Sequence, residues 1–135
     1  MLKRLIAAAI CTAVACGLVL NSAAAAGSGV QVSKGRTAQG RQIRIAFHPR
    51  SVELKHFTIR LRCKGGDVLI DAESGFLPSK VLKNGRIRDH QVGSTDDVYL
   101  RGRLGNHRLH GAIRVRDRLG KHRCDSKWVR FHVQR

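Results

Sequence analysis

Across most of its length this chain counts in twos. In "RQIRIAF" the apolar residues are Ile43, Ile45 and Phe47, in "HFTIRLRC" they are Phe57, Ile59, Leu61 and Cys63, and in the closing "WVRFHVQR" they are Val129, Phe131 and Val133. Side chains two residues apart share a face only on an extended strand, so a period of two marks strands with one buried and one wet face. A helix would bring together positions three and four apart, and that period is missing after the first 26 residues. The alternation commits the chain to an all-β fold before any other property is considered.

Turn chemistry divides the strands. Gly65 and Gly66 stand between "HFTIRLRC" and "DVLIDA", a two-residue spacing suited to a tight hairpin whose central positions need positive φ. "VLKNGRIR" carries Asn84 and Gly85, the strongest short hairpin signal in the chain. "VYLRGRLGNHRLHGAIRVRD" reads as a third hairpin turning near Gly105 and Asn106. Its inward residues are Leu100, Gly102 and Leu104 before the turn and Leu109, Gly111, Ile113 and Val115 after it. "HPRSVELK" and "QVGSTDD", residues 91–97, are the most loop-like stretches. With "GVQV" near the start, about eight short strands are expected, which predicts an antiparallel β-sandwich or a small β-barrel.

The first 26 residues break the rhythm. Lys3 and Arg4 precede an apolar run from Leu5 to Leu20, and a small-residue stretch from Ser22 to Ala26 follows. That order is the plan of a secretory signal peptide, with cleavage expected after Ala25 or Ala26. A transmembrane anchor is one rival, countered by the small residues and the "AAAA" ending where a basic flank would stand. Lipid attachment at Cys16 in "AVAC" is another, countered by Ala13 where the lipid motif prefers Leu and by the apolar run continuing into "GLVL". The reading divides the chain into a signal peptide, residues 1–26, and a single β-domain, residues 27–135, secreted or periplasmic and without a stable membrane span after cleavage. The remaining 135 − 26 = 109 residues suffice for one modest core.

Lys and Arg total 26 against nine acids, and two of the bases leave with the signal, so the mature formal charge is 24 − 9 = +15. A field of that sign draws anionic partners. Arginine dominates, 18 against 8 lysines, a bias that GC-rich coding also produces. Cys11 and Cys16 fall in the signal, which leaves Cys63 and Cys124, and two cysteines in an exported chain predict one disulfide. A zinc site is the alternative, since His122 stands two residues before Cys124, but neither C-x-x-C nor H-E-x-x-H occurs.

The last third, from Tyr99 to Arg135, contains "GRLGNHRLHGAIRVRDRLGKHRCDSKWVRF". This resembles a C-terminal pattern of uncharacterised small secreted β-domain proteins of high-GC bacteria: a hairpin, Gly-x-Ile-Arg, a loop, Cys, Ser, and a final strand of Val-x-Phe type. Gly102, Gly111, Ile113, Arg114, Gly120, Cys124, Ser126, Val129 and Phe131 carry the likeness. It implies a β fold and export, and it transfers no functional residue. After the Ser the pattern often has Gly, where this chain has Lys127.

Motifs for catalysis are missing: there is no G-x-S-x-G elbow and no Gly-rich phosphate loop, so an enzyme, with a hydrolase as its least remote form, ranks last. Asp71 and Glu73 share a strand face without a further partner. Asp96 and Asp97 lack the additional oxygens calcium requires, and no cofactor is implied. His107, His110, His122 and His132 read as scattered strand and loop histidines. Trp128 and Tyr99 fall opposite the core, where they either pack on a loop or offer a stacking surface. The outward parity is otherwise filled by arginine: Arg44, Arg60, Arg62, Arg86, Arg88, Arg101, Arg103, Arg114, Arg116 and Arg130. Guanidinium pairs bidentately with phosphate or carboxylate. The expected activity is therefore binding of an anionic polymer or anionic cell-surface component, such as an envelope polymer, acidic polysaccharide or nucleic acid. Arg60, Arg62, Arg101, Arg103, Arg114, Arg116 and Arg130 are its ligands. The alternative is a structural or interaction module of the cell envelope, with an envelope protein as partner and charge that only solvates.

Overall fold

The computed structural model describes residues 29–73 and 75–135. The expected signal peptide with its cleavage point, Cys11, Cys16 and Ser74 lie outside the described residues. Ten strands are formed: β1 (Gln31–Thr37), β2 (Gln42–Phe47), β3 (Ser51–Cys63), β4 (Gly66–Glu73), β5 (Ser79–Lys80), β6 (Arg86–Val92), β7 (Asp96–Leu104), β8 (Arg108–Leu119), β9 (His122–Asp125) and β10 (Val129–Gln134). Every pairing is antiparallel.

The path β10–β1–β2–β3–β9–β8 returns to β10 through the β8–β10 ladder, so six strands close a barrel. The barrel is thus the one of the two expected architectures that occurs. The extra strands grow from its two longest members. Phe57 pairs with Ile43 on one side and Ala72 on the other, so β4 extends from the free edge of β3. Ile113 pairs with Val129 on one side and Leu100 on the other, so β7, and β6 beyond it, extend from the free edge of β8.

The core follows the parity read from the sequence. Ile43, Ile45, Phe47, Ile59, Leu61, Ile113, Val115, Phe131 and Val133 are buried together. Gly111 sits inward because it faces Phe131 across the ladder: a Cβ there would come within 2.5 Å of the Phe131 ring.

Several turns differ from expectation. "HPRSVELK" is mostly strand, with only residues 48–50 turning, because β3 carries a bulge. Arg44 pairs with His56 and Ile45 with Leu54, which leaves Lys55 unopposed. An extra residue inverts parity, so Val52 and Leu54 point inward before it and Phe57, Ile59 and Leu61 after it. "QVGSTDD" is likewise strand at both ends and turns only over residues 93–95, with Gly93 donating its N–H to the Asp96 carbonyl. The β3–β4 loop is Lys64 and Gly65, not Gly65 and Gly66, since Cys63 pairs with Gly66, whose φ is 127°. Asn84 and Gly85 do turn the chain, with Gly85 at φ 76°, but the preceding β5 is two residues long and its ladder partner is β3. Arg36 belongs to β1.

Cys63 and Cys124 form a disulfide with Cα atoms 4.3 Å apart. It lies where the barrel closes most thinly: β9 meets β3 through a single residue pair, Arg62 with Asp125.

Candidate anion-binding face

Strand register decides which outward arginines become neighbours. Across β6 and β7, Arg86 faces Arg103 and Arg88 faces Arg101. The row through Arg103 continues over β8, β10 and β1: Arg103 faces His110, His110 faces His132, and His132 faces Arg36. Five basic side chains therefore cross five strands with no acid between them, at about 4.8 Å per strand step. The row through Arg101 reaches Arg130 across the small Ala112. None of Arg36, Arg86, Arg88, Arg101, Arg103 and Arg130 forms an ion pair among the described residues. Like charges directly opposed on a sheet destabilise it, so this arrangement carries a folding cost that an anionic ligand would relieve.

One row further along, the face becomes aromatic. His90 and Tyr99 are cross-strand partners with rings stacked at 4.1 Å and 7°. Trp128 stands edge-on to Tyr99 at 6.4 Å, and the Arg101 guanidinium lies 4.0 Å over the indole. Arg88, Arg101, His90, Tyr99 and Trp128 border a shallow recess of about 390 Å³. Tyr99 and Trp128 thus pack against each other and against arginine on the wet face.

Arg114 has a different role from its neighbours. It donates two hydrogen bonds to the Asp125 carboxylate, one from Nε to Oδ1 at 2.9 Å. The Lys127 backbone N–H adds a third at 2.8 Å. Held by Arg114 first and by Lys127 after it, Asp125 stays ionised far below the usual carboxylate range, and Asp125 in turn raises the Arg114 guanidinium. Arg114 therefore binds the β8 strand to the turn after β9 and is not free for a ligand. Arg116 stands 3.9 Å from the same carboxylate. The turn itself has Lys127 at φ 56°, a left-handed position that Gly adopts without strain, which accounts for the glycine in the resembling pattern.

Arg60 and Arg62 sit apart from the arginine rows, on the far end of β3. Arg60 is 4.0 Å from Asp67, and Arg62 is registered beside Asp67 and Asp125. Of the expected ligands, register brings together Arg101, Arg103 and Arg130 and separates Arg60 and Arg62, whereas Arg114 faces Tyr99 on the same surface but is taken by Asp125, the carboxylate that Arg116 also approaches. It adds Arg86 and Arg88, whose outward parity was legible, and Arg36, His110 and His132, which were not read as part of a charged face.

The carboxylates singled out in the sequence are engaged elsewhere. Asp71 accepts hydrogen bonds from the Thr58 hydroxyl at 2.8 Å and pairs with His56 Nε2 at 2.7 Å, and these partners lower its pKa. Glu73 pairs with Arg44 at 2.9 Å. Among the described residues no three His, Cys, Asp or Glu side chains gather as a metal site. Compared with known protein families, curated proteins and solved structures, the chain matches none.

Proposed function

We propose that this is an exported domain that binds an anionic polymer on the outer face of β6, β7, β8 and β10. The observation that carries the reading is the two pairs of directly opposed arginines, Arg86 with Arg103 and Arg88 with Arg101, left without carboxylate partners among the described residues. Evenly spaced guanidinium groups suit a ligand that repeats a phosphate, sulfate or carboxylate along its length. Arg130, Arg36 and, when protonated, His110 and His132 extend the surface. The Cys63–Cys124 disulfide supports an oxidising compartment, in line with the secretory N-terminus read from the sequence. The reading assigns binding and no reaction.

The competing interaction-module reading has one feature in its favour: β4 pairs only with β3 among the described residues, and Val68 and Leu69 on it are exposed. An open edge of that kind accepts a strand from a partner. Retention of the purified protein on heparin and on immobilised polyphosphate at graded salt separates the two. Elution from both above about 0.15 M salt supports the polymer reading, and flow-through at low salt refutes it.

A further inference from the structure

Resting on the anion-binding reading above, we propose that the polymer this face selects is a single-stranded nucleic acid, with one base in the shallow recess bordered by Trp128, Tyr99 and His90 and its phosphates on Arg88 and Arg101. The first argument is where the rings are spent. Phe47, Phe57 and Phe131 are buried and Phe76 packs against the core, whereas the chain's single Trp and single Tyr meet each other on the wet face. Trp128 keeps 38% of its surface exposed. An indole already covered by the flat guanidinium of Arg101 at 4.0 Å accepts a planar partner of the same kind, and bases stack on aromatic and guanidinium planes alike.

The second argument is the inventory of hydrogen-bonding groups. Sugar hydroxyls both donate and accept, so a saccharide site needs free acceptors beside its aromatic ring. Here Asp89 is the one carboxylate bordering the recess, and it is occupied, as is Asp125 nearby, while Asp97 lies outside the recess lining. Asp89 accepts from Ser79 and Gln91, Asp125 accepts from Arg114 and Lys127, and Asp97 lies 3.4 Å from His90. What the recess offers is guanidinium donors and π faces, which is the complement of phosphate plus base.

The test is a fluorescence titration of the purified protein, in which Trp128 is the only tryptophan and so reports the recess directly. Oligothymidylate, inorganic polyphosphate and heparin are added separately at matched charge and fixed salt. The proposal expects the oligonucleotide alone to quench Trp128 strongly and to bind tighter than the other two. Trp128→Ala, checked by its melting temperature and followed with a labelled oligonucleotide, should then lose roughly 5- to 150-fold in affinity, the worth of one stacked base. It should also lose the preference over polyphosphate. If that variant does not fold, the wild-type quenching decides alone. Equal affinity for all three polymers without selective quenching overturns the stacked base and leaves the anion-binding reading standing. Tighter binding of heparin overturns it in favour of a saccharide, and binding of none refutes both readings.

Discussion

Removing the disulfide should cost this barrel more than any single side chain. The bond links residues 61 apart in sequence, and in the chain-entropy picture a loop of that length constrains the unfolded ensemble by roughly 4 kcal/mol. The structure gives no reason to discount that figure, because little else holds the closure: β9 meets β3 through one residue pair. Cys124 is 2% exposed and packs in the core, so its loss also disturbs packing. For a domain of about 100 residues, 1 kcal/mol shifts the melting temperature by about 4–5 °C, so the loss corresponds to roughly 15–20 °C. The assay is thermal unfolding followed by circular dichroism, comparing the oxidised protein with the Cys63→Ser/Cys124→Ser double variant. A shift smaller than about 5 °C would show that the remaining ladders close the barrel unaided, and the argument from the thin closure would be wrong.

Two further predictions concern the fold. Asp125→Asn should destabilise the protein by roughly 1–3 kcal/mol at neutral pH, less than for a fully buried pair because Arg114 and Asp125 keep about a fifth of their side-chain surface. Because the folded-state pKa of Asp125 is lowered, its contribution is complete above the ordinary aspartate value near 4 and is lost as pH falls below it toward the depressed value. Urea unfolding at pH 7 and pH 3 should therefore show a smaller acid loss in the variant than in the wild type, and identical acid losses would refute the assignment. Gly111→Ala should cost about 1–3 kcal/mol by overpacking, since its Cβ would lie 2.5 Å from the Phe131 ring and 2.7 Å from the Arg101 carbonyl. A loss below half a kcal/mol in the same assay would mean that the two strands separate more readily than the close approach implies.

How far the sequence revealed this molecule depended on whether information was local. Parity is local, so the inward faces of β2, β8 and β10 and the outward arginines were legible from alternation alone. The bulge at Lys55 was not, because it inverts parity in mid-strand and makes Val52 and Leu54 look out of step with Phe57 and Ile59. β9 escaped notice because only Cys124 of its four residues is buried, so it shows no alternation. For the candidate face, sequence supplied the arginines and register supplied their company. Nothing local places Arg88 opposite Arg101 or His110 opposite His132, and nothing local shows that Arg114 is taken by Asp125. That last pairing converts an expected ligand into a structural clamp.

The account's central claim is that the arginines act by position as well as by number. The most direct test compares the salt dependence of binding to a duplex DNA fragment, a convenient regular polyanion, for three proteins. These are the wild type, Arg88→Gln/Arg101→Gln, and Lys64→Gln/Lys121→Gln, the last removing equal charge from two turn tips outside the arginine rows. Each lost phosphate contact flattens the log–log slope by about 0.9, so the arginine pair should flatten it by about 1.8 and the lysine pair by close to nothing. Equal flattening by the two pairs would contradict the claim and leave only the field of a highly charged domain.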